Sequence, residues 1–225
     1  MKKNWSPSSF KDFRNHEHDA CGIVSAIEKH RIPTKTNIDA CINALVTMNH
    51  RAGFINGEGD GVGIHIDIPK ALWTEKLGNA GLDPTLVEYD SFVVGHFFID
   101  REIDVEAKQS SIRHLFKDNK LDLIFETDEV TSSSALGPIA SQQEPIFWQV
   151  ALIGKKQENL ASCLFDLTIE IERCGHVHVA SLSNHHAVYK VLGAGDILPK
   201  YYHDLANPLV ASTMTLGHNR YSTNT

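Results

Sequence analysis

The chain has 225 residues, of which 42% are hydrophobic and 22% charged, and its formal net charge is −7. This composition is typical of one globular domain with a substantial core, and it excludes an intrinsically disordered chain. Lysine and arginine are scattered and no apolar run approaches the ~20 residues of a membrane span, so we expect neither a nucleic-acid nor a membrane partner.

The first 20 residues form a polar leader. Asp12, Glu17 and Asp19 follow the two initial lysines, and the leader has no apolar core of the length that a signal peptide needs. We interpret it as a propeptide. The four cysteines, at positions 21, 41, 163 and 174, form no Cys-x-x-Cys pair, which favours free thiols in a reducing cytoplasm.

The periodicity beyond the leader predicts a mixed α/β domain. Residues 22–27 are small and apolar and predict a buried strand. Thr36 or Asn37 is expected to cap a helix in which apolar residues recur at helical spacing and Cys41 belongs to the core. Further strands are predicted at 62–68, 92–99, 121–125, 146–153 and 177–182, and further helices at about 105–117 and near 158–173.

Two segments raise alternatives that we disfavour. The glycines at 57–63 lead into a strand without a following lysine or helix, so we predict a tight turn and a close-packed strand entry instead of a phosphate loop. Cys174, His176 and His178 could lie on one strand face as zinc ligands, with the pair at 185–186 as partner. The preferred interpretation is a polar sheet face without metal.

Cys21 is the candidate nucleophile. A thiolate is a strong nucleophile that needs a nearby base, and a cut before Cys21 would create an α-amino group with a reference pKa of about 7.7–8.0 that can accept the proton. The alternative for a lone cysteine is a small buried hydrophobe.

Five sequence blocks that follow one another in a fixed order favour a catalytic role for Cys21. They are Cys21–Val24; His50–Gly53 with Gly59–Ile64; Ser134–Ala140 with Glu144, Pro145 and Gln149; Ser181–Ser183 with Val188–Lys190; and His218–Thr225. With these blocks the chain resembles the glutaminase domain at the front of the glutamate synthase large subunit, a class II, N-terminal-nucleophile glutamine amidotransferase. The resemblance implies an α/β (α+β) fold of four αββα layers, in which two antiparallel sheets lie between helices. It also implies a leader at 1–20 and an amidotransferase domain at 21–225 that lacks its C-terminal part.

The resemblance implies roles for three further residues. Arg220 would hold the α-carboxylate of glutamine through paired charge-assisted hydrogen bonds, and Thr223 would add a neighbouring polar contact. Arg51 would support the nucleophile by lowering its thiol pKa, with a structural ion pair as the alternative. A solvated surface charge is the alternative for Arg220. The family requires no metal in this domain.

The implied activity is hydrolysis of L-glutamine to glutamate and ammonia through a Cys21 thioester, with the ammonia used to make glutamate from 2-oxoglutarate. In the family, the oxyanion hole comes from an Asn-Gly pair downstream of the Ser-Thr-Asn-Thr motif, and the sequence ends at Thr225 before it. We therefore expect this segment alone to be nearly inactive. We expect FMN and an iron–sulfur cluster in a parent glutamate synthase, and we expect neither cofactor in this segment. The alternatives are a stand-alone subunit for a separate synthase chain and a catalytically silent glutamine-binding module.

Overall fold

Two four-stranded antiparallel sheets organise the computed structural model, which describes residues 22–51, 54–155 and 159–219. The first sheet contains β1 (Gly22–Ile27), β4 (Val62–Asp67), β9 (His186–Val191) and β10 (Met214–Asn219). The second contains β5 (Phe92–Ile99), β6 (Leu121–Thr127), β7 (Ile146–Gly154) and β8 (Val177–Ser183). Their strand orders are β1-β10-β4-β9 and β6-β7-β5-β8. A separate hairpin pairs β2 (Phe54–Ile55) with β3 (Glu58–Gly59).

Helices cover one face of each sheet. The longer ones are α1 (Lys35–Thr47), α2 (Lys70–Asn79), α3 (Val105–Asp118) and α5 (Leu160–Arg173), and the short ones are α4 (Pro138–Gln142), α6 (Leu198–Tyr201) and α7 (His203–Ala206). Helix α1 packs on β1 and β10, whereas α3 packs on β6 and α5 on β8. The predicted α/β class with two antiparallel sheets and helices is confirmed, and the arrangement is consistent with an N-terminal-nucleophile sandwich. Within the described ranges, no helix is long and apolar enough to cross a bilayer.

The first long helix begins earlier than its sequence predicts. Thr34 is the N-cap, and its hydroxyl accepts a hydrogen bond from the backbone amide of Asn37 at 3.1 Å. The predicted caps, Thr36 and Asn37, are wrong because both already lie inside α1. Predicted strands and helices otherwise agree with the observed elements to within two residues at each described end. The elements that were not predicted are the strands β2, β3, β9 and β10, the helix α2 and the short helices α4, α6 and α7.

The glycine-rich segment before β4 is a hairpin followed by a close backbone contact. Asn56 and Gly57 have φ angles of 51° and 85°, as a tight two-residue hairpin turn requires. A Cβ atom on Gly59 would lie 2.6 Å from the carbonyl carbon of Gly193. The predicted tight turn and close-packed strand entry are thereby confirmed.

Alternate residues of β10 face α1. Thr215, Gly217 and Asn219 are buried, and a Cβ atom on Gly217 would lie 2.7 Å from Cys41 Sγ and 2.8 Å from Leu45 Cδ1. The helix therefore approaches β10 as closely as a glycine permits. Cys41 is fully buried in this contact, which confirms its predicted core position.

The opposite face of the same two strands is open. On β1, Ile23 is 67% exposed and Ile27 is 70% exposed, and on β10 Met214 and Leu216 are 42% and 40% exposed. These residues alternate with the buried ones, so β1 and β10 have one helix-covered face and one apolar face in contact with solvent. The prediction of a buried strand at 22–27 is wrong in this respect, because only one face of β1 is covered.

Substitution of Gly217 by alanine tests the helix–strand contact. The added methyl group must displace the side chains of Cys41 and Leu45, so we expect the free energy of unfolding to fall by about 1–3 kcal/mol. Gly78→Ala is the control, because nothing lies within 4 Å of its Cβ position in α2. Alanine there should raise stability by about 0.5–1 kcal/mol. Urea denaturation compares the two, and equal stability of Gly217→Ala and the parent would contradict the close contact.

Candidate functional site

The first sheet brings together the ends of the two strands that adjoin the predicted site residues. Gly22 on β1 pairs with Asn219 on β10. Cys21 precedes Gly22 in the chain, and Arg220 follows Asn219. The pairing thus attaches the nucleophile segment and the arginine segment to neighbouring strands at one end of the sheet.

The predicted site side chains are not themselves described. Cys21, Arg220 and Thr223 lie outside the described residues. Arg51 ends a 3₁₀ turn, Asn49–Arg51, and its side chain also lies outside the described part.

A third segment reaches the same end of the sheet from α1. The side-chain Nδ2 of Asn219 donates hydrogen bonds to the carbonyl oxygens of Leu45 at 3.0 Å and Met48 at 3.3 Å. These carbonyls belong to the last turn of α1 and its C-cap, immediately before the 3₁₀ turn that carries Arg51. The segments of Cys21, Arg51 and Arg220 therefore all start from one buried cluster.

The other three cysteines occupy different environments. Burial raises the pKa of Cys41 to about 11, so its thiol stays protonated at neutral pH and is a poor nucleophile. Cys163 is half-buried, and Cys174 is exposed with its Sγ 3.3 Å from the carbonyl oxygen of Glu170 in the preceding helix. All three are free.

The histidine-rich segment before β8 does not place its residues on one strand face. Cys174 is the C-cap of α5, His176 has a left-handed φ of 58°, and only His178 lies in β8. His176 Nδ1 contacts Asp100 at 3.3 Å and His178 Nδ1 contacts Glu172 at 2.8 Å. Among the described residues no three His, Cys, Asp or Glu side chains form a potential metal site.

The second and third sequence blocks meet through Glu58. Its carboxylate accepts hydrogen bonds from the backbone amides of Ile139 at 3.0 Å and Ala140 at 3.1 Å, in the first turn of α4. A Cβ atom on Gly137 would lie 2.3 Å from Glu58 Cδ, so only glycine leaves room for the carboxylate. The hairpin β2–β3 is thereby fixed to the loop of the Ser-Ala-Leu-Gly block.

Glu144, from the same block, is buried and fully paired. It accepts hydrogen bonds from the hydroxyls of Ser133 and Tyr201, both at 2.9 Å, and forms an ion pair with Arg101 at 2.9 Å. Burial and the adjacent Glu144 charge raise the pKa of Tyr201.

Gln149 is the centre of a buried polar network that sequence reasoning missed. Its Nε2 donates to Asp204 at 2.8 Å and to His96 at 2.9 Å, and its Oε1 accepts from Lys76 at 2.5 Å. Lys76 also forms an ion pair with Asp204 at 2.5 Å, and Tyr189 donates to Asp204 at 3.0 Å. The network joins the second sheet to β9, α2 and α7.

Protonation states in this network follow from its geometry. The Val188 carbonyl, 2.9 Å from His96 Nδ1, can only accept, so Nδ1 carries the hydrogen and Nε2 accepts from Gln149. Burial lowers the pKa of His96 to about 4, which keeps the ring neutral. Burial opposes ionisation of Asp204, but the Lys76 charge and hydrogen bonds outweigh it and lower its pKa. Gln149 stood in a sequence block without a role, and Asp204 carried no sequence signal.

A cavity of about 570 Å³ lies against the open face of the first sheet. Its lining includes His218, Gly63 and Lys190, which are neighbours across β10, β4 and β9, and Phe98 and His178 from the second sheet. Lys190 Nζ lies 3.3 Å from His178 Nε2. The cavity therefore contains an apolar wall and several basic side chains next to the strand that leads to Arg220.

Comparison of the sequence with known protein families identifies a family that is consistent with the fold. The profile of the family described as "Glutamine amidotransferases class-II" matches residues 21–225. The chain belongs to this family, as the sequence blocks predict.

Two of the curated relatives that the chain matches are named as glutamate synthases. Over 93% of its length the chain is 31% identical to "Ferredoxin-dependent glutamate synthase 2, chloroplastic" of Arabidopsis thaliana, and the match covers 14% of that protein. It is 29% identical to "Glutamate synthase [NADH]" of Saccharomyces cerevisiae, over 94% of this chain and 11% of that protein. The chain thus spans 11–14% of the length of these relatives.

Removal of Asp204 tests the buried network. Asp204→Ala leaves the Lys76 ammonium buried without its counter-charge, so we expect the free energy of unfolding to fall by about 3–5 kcal/mol. Asp122→Ala is the matched control, because its ion pair with Lys155 has side chains that are 52% and 62% exposed. Loss of that exposed pair should cost about 0–1 kcal/mol in urea denaturation. Equal losses in the two variants would contradict the network's role.

His96 should make stability depend on pH. The folded-state pKa of about 4 lies below the ordinary histidine value of 6.5, so between these values the unfolded chain binds the additional proton. The contribution of neutral His96 to the free energy of unfolding is therefore fully present above about pH 6.5, and it is lost as the pH falls to about 4.

Urea denaturation at several pH values measures this slope. His96→Gln retains a neutral donor and acceptor and should have a shallower slope than the parent, whereas His30→Gln, at an exposed position, should keep the parent slope. Identical slopes in the parent and His96→Gln would contradict the assignment.

Proposed function

We propose that residues 21–225 form a glutaminase domain that hydrolyses L-glutamine to glutamate and ammonia through a thioester on Cys21. The observation that carries the proposal is the pairing of Gly22 with Asn219, which attaches Cys21 and Arg220 to neighbouring strands. Family membership supports the same reaction class.

The proposed reaction has two acyl-transfer steps. Removal of residues 1–20 frees the α-amino group of Cys21, which takes the thiol proton as Sγ attacks the side-chain amide carbon of glutamine. The C–N bond breaks, the proton passes to the leaving nitrogen, and ammonia departs. Water then attacks the thioester carbon, releases glutamate and returns the proton to sulfur.

Substrate recognition is assigned to the segment after β10. We propose that the Arg220 guanidinium holds the α-carboxylate of glutamine by two charge-assisted hydrogen bonds and that Thr223 adds a polar contact. Arg51 would favour the thiolate at Cys21 through its positive charge. The neutral, buried thiol of Cys41 supports the choice of Cys21 as nucleophile.

The ammonia is proposed to serve glutamate synthesis from 2-oxoglutarate in a synthase region of the same polypeptide or in a separate synthase subunit. The names of the relatives in Arabidopsis thaliana and Saccharomyces cerevisiae support this assignment. FMN and an iron–sulfur cluster would belong to that synthase region, because the described cysteines of this segment are not grouped for cluster ligation. The free cysteines agree with a reducing compartment such as the cytoplasm.

Covalent labelling of the natural polypeptide tests the nucleophile. We expect a diazoketone analogue of glutamine to add to a peptide whose first residue is Cys21, because the analogue presents its electrophilic carbon at the position of the substrate amide. Mass spectrometry of the N-terminal peptide locates both the adduct and the cleavage site, and glutamate release measures activity in parallel.

Two variants make the labelling specific. Cys21→Ala should lose the adduct and lower glutamate release by at least about 10³-fold, whereas Cys174→Ser, which changes an exposed free thiol, should retain both. An uncut chain that binds glutamine without an adduct would instead indicate a silent binding module and refute the proposal.

A further inference from the structure

The amide of Asn219 connects the three chain segments of the candidate site. Asn219 is 0% exposed and lies at the end of β10, where its backbone pairs with Gly22 on one side and Val62 on the other. Both hydrogens of Nδ2 are used in the bonds to Leu45 and Met48. The side chain therefore contributes to fixing the end of α1 against the paired ends of β1 and β10.

The two carbonyl groups that Asn219 binds need an external donor. A helix leaves its last four carbonyl oxygens without intrahelical partners, and Leu45 belongs to that last turn. A buried carbonyl without a partner is destabilising, so the Asn219 amide favours one position for the helix end.

Gly22 lies beside the Asn219 amide and the Met48 side chain. A Cβ atom on Gly22 would lie 3.5 Å from both Asn219 Nδ2 and Met48 Cε. Asn219, Met48 and Gly22 thus form one contact cluster, and each is one to three residues from a predicted site residue.

We infer that Asn219 is a positioning residue of the glutaminase site, which acts by holding the segments of Cys21, Arg51 and Arg220 in a fixed mutual position. The inference rests on the proposed function. Asn219 is not assigned a catalytic role, because its buried amide nitrogen donates to the carbonyl groups of Leu45 and Met48.

Thr215 supplies a matched control on the same strand. It is also fully buried, and its hydroxyl donates to Asn37 Oδ1 at 2.6 Å, so it forms a second side-chain hydrogen bond between β10 and α1. It pairs with Ala26, at the far end of β1 from Cys21. Loss of either hydrogen bond should reduce stability, but only the loss at Asn219 should change the position of the chain segments that form the glutaminase site.

The experiment compares Asn219→Ala, Asn219→Asp and Thr215→Val in the natural polypeptide. Misplacement of reacting groups by about 1 Å can cost on the order of 10²-fold, so we expect both Asn219 variants to lower kcat at saturating glutamine by about that factor. Asn219→Asp keeps the volume but replaces the donor by an oxygen, so loss of packing cannot explain its effect. Thr215→Val should keep kcat within about twofold of the parent.

Hydrogen exchange measured by mass spectrometry supplies a readout that does not depend on activity. In Asn219→Ala, the amides at the start of β1 and at the end of α1 should exchange faster, while those near Ala26 keep the parent rate. Parent kcat in Asn219→Asp, or equal kcat losses in Asn219→Ala and Thr215→Val, would overturn the inference. If the parent protein releases no glutamate, the proposed function fails, and unchanged exchange in Asn219→Ala would then overturn the positioning role as well.

Discussion

The register between β10 and α1 is the constraint on which the candidate site depends. Three alternate residues of β10 meet the helix, each in a different way: Thr215 by a hydrogen bond, Gly217 by direct contact and Asn219 by capping carbonyl groups. A shift of one residue would direct Leu216 at Cys41 and place all three on the wrong face. The position of Gly22 opposite Asn219 follows from this register, and with it the approach of the two segments that carry the proposed nucleophile and substrate arginine.

A second constraint links the two sheets through polar groups, in addition to the apolar packing of Phe147 with Ile64 and Tyr189 in one buried cluster. Gln149 uses both hydrogens and its carbonyl oxygen within the network, and His96 bridges it to the backbone of β9. Such a network is stable only if every member is satisfied, because an unpaired polar group at this depth is costly. The hydrogen bonds of the network therefore favour one arrangement of β5, β7 and β9.

The sequence predicts those elements whose side chains follow a regular period. Strand β5 is almost continuously apolar, and β4 alternates, so both are evident from their residues alone. Strand β10 was missed because its buried face consists of threonine, glycine and asparagine, which are buried through specific partners and not through hydrophobicity. For the site, a motif indicates Arg220, but the role of Asn219 depends on carbonyl groups more than 170 positions earlier in the chain. No local pattern encodes such a contact.

The open apolar face of β1 and β10 should affect how readily the segment associates with itself in solution. Strand β1 is the terminal strand of the described sheet, and Ile23 and Ile27 extend from it into solvent beside Met214 and Leu216. An apolar stripe along an edge strand, whose outer edge has no partner among the described residues, is a template for strand addition by another chain. The net charge of −7 opposes close approach of two copies, but salt screens that repulsion and leaves the stripe unchanged. Concentrated solutions of residues 1–225 alone should therefore be clearer at low ionic strength than at high ionic strength.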